Sequence, residues 1–175
     1  MYKDCKWLPE LIKFDYPVFS EETIEMLYDI FLNELYYPIW TYKDKPVYFR
    51  HHPEYDGKQE SFFHIISDKN IHGHDYNTVN EQRAQRLLWG RAILEHEPCT
   101  YDCDCQKIYV WKFSHHDRNG SRIRTKIYHS KYNYLIILEE KPDKWLYVTS
   151  YQINNSQKKR ELIREYKKQR TLNHN

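Results

Sequence analysis

Tyr134-Leu135-Ile136-Ile137-Leu138, inside the segment Asn133–Glu139, is almost wholly apolar. A short run of this kind reads as a central strand covered on both faces. The segments around it read as its partners in a β-meander. Ile108–Phe113 is one strand. Asn119-Gly120 is a hairpin signal, because both residues tolerate positive φ, and Arg122–His129 is the next strand. Lys141-Pro142-Asp143 turns the chain after the apolar run, and Trp145–Ile153 closes the sheet. A basic helix follows over Ser156–Gln169, with Leu162, Ile163 and Tyr166 as a thin apolar stripe.

Upstream, Ile24, Leu27, Tyr28, Phe31 and Leu35 share one helical face. Ser20 is placed to cap that helix, Glu21 and Glu22 suit the positive end of its dipole, and Pro38 stops it. Residues 1–19 read as an irregular arm. Val47–Arg50 and Ser61–Ile66 read as short strands around a Pro53…Gly57 turn region. Thr78-Val79-Asn80-Glu81 fits a capping box opening a second helix that runs to Glu95 or His96, before Pro98. The expected fold class is α+β: N-terminal helices on a four-stranded antiparallel meander, with a basic C-terminal helix. The expected division is an N-terminal arm and helix over 1–44, a body over 45–170 and a disordered tail over 171–175.

The chain has 175 residues, of which 17% are aromatic and 30% charged. Rings at this density argue against disorder. No apolar run approaches the roughly 18 to 20 residues of a membrane span. The start, Met1 to Lys6, carries an acid with no apolar stretch after it, so no signal peptide is expected and the protein is expected in the cytoplasm. Net charge is +2, unevenly spread. From Lys107 onward there are 16 Lys and Arg against 6 Asp and Glu, a balance of +10; the first 106 residues carry 11 against 19, a balance of −8. A basic last third suits a polyanion, unless the two halves neutralise each other by packing together.

Alternation along the strands sharpens this. Arg122, Arg124, Lys126 and Tyr128 point to one side of their strand. In the last strand Tyr147, Thr149 and Tyr151 share a side, opposite Leu146, Val148 and Ser150. If the apolar sides pack on the helices, the others form an open face of cations, phenols and a hydroxyl, suited to phosphates and unpaired bases. The plainer reading is the ordinary solvated side of an antiparallel sheet. His64, flanked by Phe63 and Ile65, is the best single candidate for moving a proton, against the alternative of a satisfied core histidine. His51-His52 and His115-His116 read as loop residues, and so does His72-Gly73-His74-Asp75, against the alternative that its two histidines and aspartate hold a metal. No metal is expected. The alternative is a zinc site of His96, Cys99, Cys103 and Cys105, four ligand types within ten residues but without paired C-x2-C spacing.

Several segments, taken in order, carry a family likeness. They are Arg50-His51-His52-Pro53-Glu54-Tyr55, Phe63-His64, Arg83…Arg86-Leu87-Leu88-Trp89 leading to Ile93-Leu94-Glu95, Tyr134–Leu138, and Tyr147-Val148-Thr149-Ser150-Tyr151 followed by Lys158-Lys159-Arg160. Over residues 45 to 170 the chain resembles the phage-encoded barnase–EndoU–colicin–RelE-like nucleases. The resemblance implies a toxin, or a phage or mobile-element effector, that cleaves RNA (tRNA among the candidates) without metal or cofactor. It implies His64 as base or acid, Arg122 or Arg124 on the phosphate, and Thr149 and Tyr151 orienting it or aiding proton transfer. Arg50, His51, Arg83, Arg86, Lys126, Tyr128, Tyr147, Lys158 and Lys159 would hold the nucleic acid. A cognate antitoxin or inhibitor protein would be its partner, with no role for a membrane. Two departures stand out: Phe63 precedes the histidine where the family often has a small residue, and residues 1–44 match nothing in it. The alternative is a catalytically silent nucleic-acid- or protein-binding module of the same fold.

Overall fold

The computed structural model describes residues 5–68, 76–98, 108–117 and 120–172. The architecture is mixed α+β, and the elements follow the chain in order. Helix α1 (Glu21–Phe31) is capped by Ser20, whose Oγ accepts from the Thr23 amide at 3.2 Å. It continues as a π-helical turn over Leu32–Tyr36. Ile24, Leu27, Phe31 and Leu35 are buried, as the helical spacing requires. Two short hairpins come next, β1 (Thr41–Tyr42) with β2 (Lys45–Tyr48), and β3 (Glu54–Tyr55) with β4 (Lys58–Gln59). Helices α2 (Glu60–Ile66), α3 (Glu81–Gln85) and α4 (Trp89–Glu95) lead to strands β5 (Ile108–Asp117), β6 (Gly120–His129), β7 (Tyr134–Glu140) and β8 (Trp145–Gln152). Helix α5 (Ser156–Leu172) ends the described chain.

Strands β5 to β8 pair antiparallel in sequence order, with β7 in the middle. The sheet does not stop at four strands. Its order is β1-β2-β8-β7-β6-β5, and β2 joins β8 in parallel through Val47↔Trp145 and Tyr48↔Leu146. An uncovered β8 edge would leave backbone groups unpaired, and β2 satisfies part of it. The β1–β2 hairpin spans residues 41–48, across the expected 44/45 division, and α1 shares its core cluster with the sheet.

Several local readings change, and His115-His116, expected in a loop, lie in β5. Ser61–Ile66 is helix, not strand. Phe62, Phe63, Ile65 and Ile66 are all buried, and their spacing suits one helical face as well as it suits a short strand. The second helix is two helices, broken at Arg86–Leu88. Its cap is Asn80, whose Oδ1 accepts from the Arg83 amide at 3.2 Å, rather than Thr78. Thr171 and Leu172, expected in a disordered tail, continue α5, while 173–175 lie outside the described residues. The hairpin signal at Asn119-Gly120 falls partly outside them too, although Asp117 pairs with Gly120.

Both faces of the sheet are covered. On one, Ile127, Tyr134, Ile136, Leu138, Trp145 and Tyr147 pack with the side chains of α1, α2 and α4. On the other, Trp111, Tyr128 and Leu135 pack with Leu162 of α5, joined by Ile163 and Tyr166. The open face expected from alternation is therefore half closed. The apolar stripe of α5 must leave water, and the nearest apolar surface is the sheet it follows. Tyr128 is buried, and the Lys126 ammonium is held 2.8 Å from Glu165 of α5 and 4.4 Å from the centre of the Phe113 ring. A register shift opposite Ile137/Leu138 changes β8 as well. Ile137 faces Thr149 and Leu138 faces Tyr147, so Val148 is the extra residue. Tyr147 thus turns into the core, stacked on Phe49 at 5.0 Å, and shares its side with buried Ser150 instead of with Thr149 and Tyr151.

His129 ends β6 with no solvent exposure, and neither ring nitrogen has a hydrogen-bond partner among the described residues. Burial, partly offset by the ring's contact with its own backbone and helped by a smaller push from the Lys131 charge, lowers its pKa to about 4. The unfolded chain binds this proton below the ordinary value near 6.5, whereas the native state refuses it until about pH 4. Native stability should therefore fall as pH drops through this window, by about 2 kcal/mol between pH 7 and 5. Urea unfolding at the two pH values should show that loss in the wild type and a smaller one in His129→Phe.

Candidate active site

A cleft of about 540 Å³ opens where α2 and α3 meet the stretch of β8 beyond its pairing with β2. Its lining includes Arg50, Glu60, His64, Arg83, Arg124, Thr149 and Tyr151. Most of these were candidates from the sequence, from five separate segments. Tyr147 also borders the cleft, from within the core.

His64 reaches the cleft because α2 is a helix. Its neighbours on both sides are buried, and its own side chain is 42% exposed. Helical spacing puts Glu60 one turn before it, with Oε2 3.6 Å from His64 Nε2. Glu60 is held in turn, since the Tyr55 hydroxyl donates to its other oxygen at 3.2 Å. The imidazole thus has a tethered carboxylate beside it, the arrangement that orients a proton-transfer histidine. Glu60 was not among the sequence candidates, because a strand reading puts no i, i+4 partner beside His64.

Arg83 ties α2 to the sheet. Its Nε donates to Ile65 O at 3.0 Å, and its Nη2 donates to His64 O and to Thr149 Oγ1, both at 2.8 Å. Thr149 Oγ1 donates to His64 O at 2.6 Å. The carbonyls that α2 leaves unpaired at its C-terminus are thereby satisfied. Arg83 and Thr149 fix the histidine's backbone rather than waiting for a ligand. Burial lowers the pKa of the Arg83 guanidinium, partly offset by Asp68, and the group keeps its proton. Its Cζ lies 5.0 Å from the centre of the Tyr151 ring at the cleft wall.

The cleft mouth meets a cluster of cations around one carboxylate. Glu139 is 1% exposed, and alternation and register put it opposite Arg124. Its Oε1 lies 2.8 Å from Lys141 Nζ. Its Oε2 lies 3.1 Å from Arg50, 3.6 Å from Arg122 and 3.7 Å from Arg124. Burial pushes the Glu139 pKa up, but Lys141 and the arginines outweigh it and hold the carboxyl below its ordinary value. Four cations around one anion leave an excess of positive charge, directed at whatever anion enters beside Arg50 and Arg124. Glu139 also went unnoticed in the sequence, where it ends an apolar run.

Other expected residues lie elsewhere. Arg86 stacks over Trp89, 4.9 Å from the ring centre, away from the cleft. His51 lies in the loop before β3, with Nδ1 2.8 Å from the Tyr36 hydroxyl. Lys158 is exposed in the first turn of α5, 3.4 Å from Glu161, and Lys159 is half-buried beside it. His96 stacks on Trp7 at 4.7 Å. Its companions in the zinc alternative, Cys99, Cys103 and Cys105, lie outside the described residues, as does His72–Asp75.

No family model, no curated protein and no solved structure matches the chain. Among the described residues no helix is long and apolar enough to cross a membrane.

Proposed function

We propose that this protein is a metal-independent endoribonuclease, a toxin or a phage or mobile-element effector acting on cytoplasmic RNA. One observation carries the reading: an accessible imidazole with a tethered carboxylate shares a cleft with Arg50 and Arg124. In the reaction, His64 takes the proton of a ribose 2′-hydroxyl, and the 2′-oxygen attacks the adjacent phosphorus. The bond to the 5′-oxygen breaks, leaving a 2′,3′-cyclic phosphate. Tyr151 supplies the proton to the leaving oxygen; the tyrosinate then regains a proton from solvent and the His64 imidazolium releases the one it took. Arg124 and Arg50 neutralise the charge gathering on the phosphate oxygens. DNA lacks the attacking hydroxyl, so the chemistry selects RNA. tRNA is one substrate of suitable size, and an antitoxin protein covering the cleft is the partner such an activity calls for.

The second reading is a binding module without catalysis. It is favoured by the way Glu139 already engages Arg50, Arg122 and Arg124. Incubation of the purified protein with total RNA in EDTA separates the two. The nuclease reading expects new ends that are cyclic phosphates. Intact RNA after long incubation, with binding that weakens steeply with salt, would leave the binding module.

A further inference from the structure

We propose that His51, His52 and Glu54 form a site for a divalent transition-metal ion of the zinc, cobalt or nickel class, separate from the cleft chemistry. One ligand atom from each residue lies within 4.8 Å of the other two. His51 Nε2 and Glu54 Oε1 are 3.8 Å apart, and the two imidazole centres are 4.3 Å apart. Ligands on neighbouring positions of one ion, at metal–ligand distances of about 2.1 Å, are roughly 3 to 3.5 Å apart. Small side-chain rotations at an exposed site therefore close the set.

Two further features make this more than a chance meeting of polar side chains. The first is an outer-shell partner. Tyr36 Oη lies 2.8 Å from His51 Nδ1, so with metal on Nε2 the Nδ1 proton is donated to the tyrosine oxygen. That contact fixes the ring's orientation and the nitrogen presented to the ion. The second is a backbone anchored on both sides of the ligands. The Ser61 hydroxyl donates to Arg50 O at 2.9 Å, and the Glu60 amide donates to Pro53 O at 2.9 Å. The Glu54↔Gln59 pair of the β3–β4 hairpin holds the third ligand.

The donor set decides the class of ion. Two imidazoles and one carboxylate suit zinc, cobalt, nickel and copper, whereas magnesium and calcium prefer all-oxygen shells. Three protein ligands leave positions for water, so the ion stays exchangeable. Its charge adds to that of Arg50, one residue away, on the rim of the cleft.

The test is titration of the EDTA-treated, desalted full-length protein with Co²⁺, followed by absorption, and with Zn²⁺, followed by calorimetry. The expected result is one ion bound with weak d–d bands characteristic of nitrogen and oxygen ligands. His52→Ala and Glu54→Gln should each lower affinity by at least about tenfold, and Tyr36→Phe by about tenfold, with the melting temperature of the metal-free protein unchanged. Unchanged affinity in His52→Ala or Glu54→Gln would overturn the proposal. So would an intense sulfur-to-cobalt band that survives His52→Ala, because it would assign the ion to the cysteines. RNA cleavage in EDTA bears only on the nuclease reading, so failure of one proposal is distinct from failure of the other.

Discussion

His64→Ala should lower RNA cleavage by about 10²- to 10⁴-fold, the usual contribution of a general base or acid, while leaving the protein folded. The two halves of this expectation have different grounds. The loss follows from the position of the ring: it is the imidazole of the cleft, set against Glu60 and sharing the cavity with Arg50 and Arg124. The intact fold follows from its exposure. The α2 side chains that hold the helix down are Phe62, Phe63, Ile65 and Ile66, and alanine is a better helix former than histidine. The ties made by Arg83 and Thr149 run to the backbone carbonyl of residue 64, which the substitution keeps. Single-turnover cleavage beside a thermal melt checks both halves. A variant that cleaves like the wild type would remove His64 from the mechanism, and one that melts early would mean that the ring supports the fold.

Gly90→Ala should be the most damaging single methyl addition in the helical layer. Gly90 sits on the buried side of α4, against the ring of Tyr147 from β8. A Cβ there would fall inside the Tyr147 hydroxyl and 2.8 Å from the ring carbon that bears it. Tyr147 has nowhere to retreat, since it is stacked on Phe49 and edge-on to Trp40. Overpacking of this kind costs about 1 to 3 kcal/mol and occasionally more, offset by about 1 kcal/mol of helix propensity gained over glycine. A net loss of about 1 kcal/mol corresponds to a melting temperature lowered by roughly 2 to 4 °C in a domain of this size. Tyr147→Phe added to Gly90→Ala should recover part of the loss, because the worst overlap is with the hydroxyl. Wild-type stability in Gly90→Ala would mean that α4 and β8 are farther apart than described. Cleavage measured on the same variant reads the coupling between this contact and the cleft, because Tyr147 borders both.

The residues that sequence reading placed well are those whose local period is unambiguous. Ile24, Leu27, Phe31 and Leu35 recur over several turns, and only a helix buries them together. Ser61–Ile66 is too short for that test, and the environment decided between strand and helix. Once it is helix, His64 gains Glu60 as a neighbour and an outlet to solvent. Tyr147 and Thr149 were expected side by side because alternation assumes an unbroken ladder. The extra residue Val148 is a property of the pairing with β7, so no inspection of β8 alone reveals it. Most of the cleft's residues were candidates beforehand, yet Arg83 and Thr149 hold backbone where the family likeness implied contact with RNA.

From the sequence alone came the meander with Tyr134–Leu138 at its centre, the capped first helix and the basic C-terminal helix, because side-chain periodicity over a long enough run reports which side must leave water. Tertiary structure alone decided that α5 closes half of the arginine-bearing face, that β2 adds to the sheet in parallel, and that Glu139 gathers four cations at the mouth of the cleft. Those outcomes depend on which distant surfaces meet and in what register. Pairings across dozens of residues are chosen by the burial and hydrogen bonding of the whole chain, and no local pattern encodes them.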